Sequence, residues 1–113
     1  MKEIFSRTSI GGIELKNRII RSATHEGLGD RNGFPRKQLF EMYEKLARNN
    51  VGAIITGFTG IQANGRAFNN MRMINSDEFI EPYKKLNRTL KDYNVPLIMQ
   101  VVHCGGMCMP EVT

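Results

Sequence analysis

Few residues in this chain have the type and spacing to do chemistry. His25 sits in a glycine-rich stretch, Gln100 interrupts an apolar run, and His103-Cys104-x-x-x-Cys108 gathers an imidazole and both cysteines near the end. A glutamine amide offers two donors and an acceptor, and in an apolar strand it can merely satisfy a neighbouring backbone group. A histidine in a glycine-rich loop reads most simply as a surface residue, and His103 as a hydrogen-bonded core residue. Phe58 after Gly57 reads as packing, and Gly57, Gly60, Gly105 and Gly106 as turn residues. The cysteine pair invites a metal, but zinc and iron–sulfur sites want closer, repeated pairs with more ligands, so no metal site is expected. Gly11-Gly12 is not a dinucleotide fingerprint, because no G-x-G-x-x-G follows a strand.

The elements that must position these residues alternate in type. Residues 4–15 read as a hairpin around Gly11-Gly12, a pair that tolerates positive φ. Residues 19–24 follow as a short strand, and residues 26–35 as a loop. Pro35 can open a helix at its first turn. Leu39, Phe40, Tyr43, Leu46 and Ala47 then recur at helical spacing until Asn49-Asn50. Residues 51–57 are apolar on both faces, which suits a strand of a parallel sheet covered by helices. Residues 59–75 form a long polar loop, either functional or disordered. Ser76 or Asp77 can cap a second helix whose main body starts near Pro82, carries Tyr83, Leu86, Leu90 and Tyr93 on one face, and stops at residues 94–96. Residues 97–103 read as a third buried strand.

This order implies an α/β fold with right-handed β-α-β crossovers and a parallel sheet. Ligands of such sheets meet the carboxyl ends of the strands. Residues 22–25, 57–59 and 100–105 should therefore share one rim.

The chain has 113 residues, 41% hydrophobic and 24% charged, within the ordinary globular range. Its net charge of +5 is scattered. No run of like charge reaches the length of a nucleic-acid-binding tail, so no nucleic-acid partner is expected. Two closely spaced cysteines do not make a secreted disulfide scaffold. The first residues lack the apolar run of a signal peptide, and no segment is long enough to span a bilayer. A soluble cytoplasmic protein without a membrane partner is expected.

Five segments, in order and register, resemble one family. Residues 13–20 (IELKNRII), 21–27 (RSATHEG), 51–57 (VGAIITG), Gly65-Arg66 and 100–105 (QVVHCG) are similar to the old yellow enzyme-type NADH:flavin oxidoreductases. The last resembles that family's Gln-x-x-His-Ala-Gly signature. The resemblance covers essentially the whole chain. It implies the N-terminal part of a (β/α)8 TIM barrel, with residues 1–113 as an incomplete segment of an FMN-binding domain, since such a barrel needs about 250 residues. It implies FMN as cofactor, NAD(P)H as co-substrate, and a small electron acceptor such as an activated alkene.

By that resemblance Ser22, Ala23 and Thr24 pass beneath the isoalloxazine ring, Phe58 lies beside its pyrimidine side, and Gln100 directs its amide at the pyrimidine edge. His25 stands where some relatives place a flavin-tuning cysteine. It is the candidate catalytic residue, able to shift the redox balance but not to form a thioether. Gly106 departs from the arginine that often follows His-Ala-Gly. The family's substrate-binding histidine pair, the basic residue near flavin N1 and the phosphate site come after the third strand. The resemblance therefore implies that these 113 residues alone hold FMN poorly. Two further readings stand beside it. One is a non-catalytic barrel segment that self-associates through its open strand edges; the other is a small phosphate- or nucleotide-binding module using the rim loops.

Overall fold

The computed structural model describes residues 3–108. Strands β1 (Thr8–Ile10) and β2 (Ile13–Leu15) form an antiparallel hairpin with Ile10 opposite Ile13. Its turn places Gly11 at φ 55° and Gly12 at φ 83°, the left-handed pair that a two-residue hairpin requires. Ile4 and Phe5, expected in the hairpin, lie outside it and are exposed.

Strand β3 (Ile20–Arg21) is shorter than its sequence pattern and leads into residues 22–35. Helix α1 (Lys37–Arg48) begins two residues after Pro35, because the amide of Arg36 is taken by the Leu28 carbonyl and its backbone is extended. Leu39, Tyr43 and Ala47 form its buried stripe. Asn50, at φ 73°, supplies the left-handed residue that ends the helix. Strand β4 (Ala53–Ile55) follows, then β5 (Thr59–Gly60). A short 3-10 turn at Asp77–Phe79 opens helix α2 (Ile80–Lys91), which buries Tyr83, Leu86 and Leu90. Ser76 sits at the start of that turn without a side-chain capping bond.

The third expected strand is two pieces, β6 (Leu97–Ile98) and β7 (Val101–Val102). Strands β3, β4 and β6 form a parallel sheet in that order, and β5 pairs in parallel with β7. Helices α1 and α2 cover one face of the sheet. Leu39, Tyr43, Ile54, Leu86 and Leu90 meet there in one apolar cluster.

The third strand is not buried on both sides as its composition suggests. Ile98 on β6 is 37% and Val101 on β7 is 56% exposed, and each of these strands is the edge of its sheet. Ile20 on β3, and Ile19 just before it, are likewise exposed at the other edge. Among the described residues, no helix is long and apolar enough to cross a membrane.

The long polar loop is ordered by the loop before α1. The amide of Gly29 donates to the Asn70 carbonyl at 2.8 Å, and that of Met73 to the Gly33 carbonyl at 2.9 Å. Met71, Arg72 and Met73 are all buried. The Arg66 guanidinium donates to the carbonyls of Asp30, Arg31, Asn69 and Met71. A single side chain thus ties the two loops together through four backbone acceptors.

Candidate functional site

Parallel pairing fixes which residues share the rim. Arg21 is registered with Ile54, and Ile55 with Ile98. Residues 22–25, 56–58 and 99–103 therefore leave the sheet at the same end.

Between β4 and β5 the pairing carries one extra residue. Thr56 donates its amide to the Ile98 carbonyl (2.8 Å), and the next such bond runs from Thr59 to Gln100 (2.9 Å). Three steps on one strand thus oppose two on the other, which is a β-bulge at Gly57-Phe58. Bulges re-aim side chains at sheet ends. Here the bulge splits the expected third strand into β6 and β7, and beyond it Thr59–Gly60, expected at the start of the long polar loop, pairs as β5. The Gln100 backbone N–H donates to the Thr56 hydroxyl oxygen at 3.2 Å.

Phe58 emerges from the bulge beside His25. Their rings meet edge-on with centroids 4.8 Å apart. Phe68, from the long loop, stacks on the imidazole at 4.9 Å and 21°, and its ring also meets Phe58 edge-on at 6.2 Å. His25 is thus half-buried in a cluster of three mutually contacting rings rather than a free surface histidine. Ser22 and Thr24 are exposed and Ala23 is half-buried on the same run, where the Thr24 hydroxyl donates to the Ser22 carbonyl at 3.2 Å. The Gln100 side chain is exposed at the third strand end, and its side-chain amide, unlike its backbone N–H, makes no hydrogen bond among the described residues.

His103 is exposed rather than a core residue. The Gly105 amide donates to its Nδ1 at 3.1 Å, so Nδ1 is the acceptor and Nε2 carries the proton toward Asn64 Oδ1, 3.1 Å away. A Cβ at Gly65 would lie 2.6 Å from the imidazole Cδ2. The missing side chain is what lets the loop close on the ring. Phe58, Ala67, Phe68, Val102, His103, Cys104 and Met107 line a cleft of about 390 Å³. Cys104 and Cys108 are free thiols flanking a single 3-10 turn. Burial pushes the Cys104 thiol up, and the neighbouring Cys108 adds to this, which keeps it protonated and weakly nucleophilic. Among the described residues no three His, Cys, Asp or Glu side chains gather to hold a metal.

Directly beneath the aromatic cluster lies a buried charge network. Glu26, the residue after His25, has a side chain only 2% exposed. Its Oε1 accepts from Arg72 Nη2 at 3.0 Å. Its Oε2 accepts from Arg21 Nη1 at 2.9 Å, from the Tyr43 hydroxyl, and from the Gly57 amide at 3.1 Å. Arg72 Nη2 also donates to the Gly57 carbonyl at 2.9 Å, while its Nη1 is buried without a partner among the described residues. Arg21 adds bonds to the carbonyls of Thr24 and Ile55, both at 3.1 Å.

Burial alone would raise the Glu26 carboxyl. The Tyr43 hydroxyl, the Arg72 charge, Arg21 and the Gly57 amide outweigh it and hold the group below its usual 4.5. Burial pushes the Tyr43 phenol up to about 12, partly opposed by the charge of Arg72 and reinforced by its bond to Glu26, so it remains a donor.

Residues 3–113 match the NADH:flavin oxidoreductase / NADH oxidase family. The chain belongs to that family. A metal reductase from Desulforamulus reducens is 32% identical over 113 residues, all of this chain and 17% of the relative. An NADPH dehydrogenase from Bacillus pumilus is 31% identical over 104 residues, 91% of this chain and 31% of the relative. The crystal structure of Old Yellow Enzyme from Pichia sp. AKU4542 superposes with a TM-score of 0.90 at 26% identity, covering 96% of this chain and 28% of that one. The old yellow enzyme homologue from Zymomonas mobilis gives 0.88 at 26%, covering 97% and 30%. The fold is thus the α/β architecture of part of an old yellow enzyme TIM barrel. The chain spans less than a third of the length of each of these relatives.

In this flavin oxidoreductase family chain, sequence reasoning placed His25, Phe58 and Gln100 on a common rim and missed what supports them. Glu26 and Arg72 escaped attention because loop residues with long polar side chains read as solvated, Tyr43 read only as a core residue of the helix, and Phe68 lay unremarked in the long loop. One local signal was available. Arg72 lies between Met71 and Met73 in an otherwise polar loop, and an arginine flanked by methionines on both sides points to burial.

Proposed function

We propose that this chain supplies one side of the FMN site of an NAD(P)H-dependent oxidoreductase acting on an electron-poor alkene or related acceptor. Ser22, Ala23 and Thr24 lie beneath the ring, Phe58 beside it, and the Gln100 amide binds its polar pyrimidine edge. The observation that carries this reading is the convergence of three strand ends, with the His25 and Phe58 rings in contact and the Gln100 side chain uncommitted across the rim.

The residues present fit the group. The amides of Ala23, Thr24 and His25 donate to no group among the described residues. An exposed amide side chain carries both donors and an acceptor, matching the alternating polar edge of a flavin. FMN, when bound, supplies hydride transfer between a nicotinamide and the acceptor. This chain's part is to hold and orient. Gln100 fixes the in-plane rotation of the ring, residues 22–24 set its depth, and Phe58 and His25 wall one end and exclude water. The 113 residues form a segment of an FMN-binding TIM-barrel domain, active in the cytoplasm. The test is the visible spectrum of the purified full-length protein: a flavin band supports the reading, and a protein that stays colourless after incubation with FMN ends it.

A second reading applies to residues 1–113 on their own, as a non-catalytic segment that self-associates and cannot hold FMN. The exposed apolar side chains along β3 and β6 favour it, since unpaired strand edges recruit other strands.

A further inference from the structure

We propose that Glu26, Arg72 and Tyr43 are positioning residues that clamp the backbone of two strand ends together, so that His25 and Phe58 present a fixed wall to the flavin. The inference rests on the flavin reading above for its consequence, but the clamp itself stands on geometry.

The pieces are consecutive in sequence with the residues they would position. Glu26 follows His25 directly, and Gly57 precedes Phe58. Glu26 Oε2 accepts the Gly57 amide at 3.1 Å, and Arg72 Nη2 spans Glu26 Oε1 at 3.0 Å and the Gly57 carbonyl at 2.9 Å. Both polar groups of the Gly57 backbone are therefore held by side chains rather than by a neighbouring strand. That is what a bulge needs, because its extra residue is left out of the ladder. The Tyr43 hydroxyl reaches the same two points, Glu26 Oε2 and, at 3.3 Å, the Gly57 amide. Its ring is fully buried in the core under α1, so the clamp is anchored to the helix layer.

The fit is close enough to dictate the residue at the bulge. A Cβ on Gly57 would lie 2.2 Å from Glu26 Oε1 and 2.4 Å from the Thr24 carbonyl oxygen. Glu26 and Arg72 side chains are each only 2% exposed, so neither is a surface ion pair free to rearrange. Burying Arg72 and a carboxylate together is costly unless the geometry is required, and here both oxygens of that carboxylate are committed. A site misplaced by about 1 Å loses on the order of a hundredfold in rate.

The experiment uses the full-length protein in three variants. Tyr43→Phe removes only the hydroxyl. Glu26→Gln keeps the shape and drops the charge. Leu90→Ala destabilises the core away from the clamp and serves as the structural control. Without flavin, the His25 ring-proton resonances, set by the Phe58 and Phe68 rings, shift in Tyr43→Phe and Glu26→Gln and stay in place in Leu90→Ala. With FMN bound, the two clamp variants move the visible flavin band and lower kcat by about tenfold to a hundredfold, with KM for NADPH changed by less than about threefold, whereas Leu90→Ala only lowers the melting temperature. Unchanged His25 resonances in folded Tyr43→Phe overturn the clamp, whatever the flavin does. Shifted resonances in a protein that binds no FMN uphold the clamp and remove the flavin reading instead. Tyr43→Phe keeps the test decisive if Glu26→Gln fails to fold.

Discussion

At the residue scale the defining feature is one carboxylate serving four donors. Glu26 is shielded from water, flanked by Arg72 and Arg21, and bonded to Tyr43 and to the Gly57 amide. Its folded-state pKa lies below the ordinary 4.5. A depressed carboxylate contributes stability that is fully present above the unfolded pKa and is lost as pH falls through the folded value. The melting temperature of the wild-type protein should therefore hold steady from neutral pH down to about 4.5 and drop below it. Glu26→Gln should remove this carboxylate's share of the acid dependence while costing about 3 kcal/mol at neutral pH, because the buried Arg72 and half-buried Arg21 guanidinium groups lose their counter-charge. A Glu26→Gln melting curve with the wild-type acid limb would contradict the assignment. None of this was legible from composition. Glu26 lies among glycines, and only folding brings residue 72 to it.

At the element scale the two helices and the hairpin were legible, because each depends on local patterning. Leu39, Tyr43 and Ala47 on α1, and Tyr83, Leu86 and Leu90 on α2, read directly as buried stripes, and Gly11-Gly12 as the turn. The strands were legible in place but not in length. An apolar run such as residues 97–103 reports burial potential, whereas its division into β6 and β7 is set by the bulge on the neighbouring strand, a long-range fact. The long loop was open between function and disorder in sequence because its order rests on Arg66 reaching carbonyls some 35 residues away in the chain. The bulge carries its own prediction. Gly57→Ala forces a methyl group against Glu26 and the Thr24 carbonyl, and should destabilise the fold by about 3 kcal/mol, read by chemical denaturation. A cost below about 0.5 kcal/mol would show that Gly57 does not need its close approach, since sites free of packing conflict tolerate substitution at that level.

At the scale of the molecule, three parallel strand ends were expected on one rim, and the register places them there. What composition could not convey is exposure. The alternation of apolar strands and amphipathic helices predicted a sheet buried on both faces, yet β3 and β6 are edges with Ile20 and Ile98 open. Residues 1–113 expressed alone should therefore scatter light with a mass above that of one chain, increasingly so at higher concentration. A stable monomer with a cooperative melt would contradict this.

The account turns on the strand-end rim as a flavin cradle, and Gln100 is its most exposed claim. FMN titration of the full-length protein, wild type against Gln100→Leu, followed by the visible band, tests it most directly. The account predicts that the wild type binds and that the variant binds about tenfold more weakly, the loss of about 1.4 kcal/mol of hydrogen bonding. A Gln100→Leu protein that holds FMN as tightly as the wild type, with an unaltered spectrum, would contradict it.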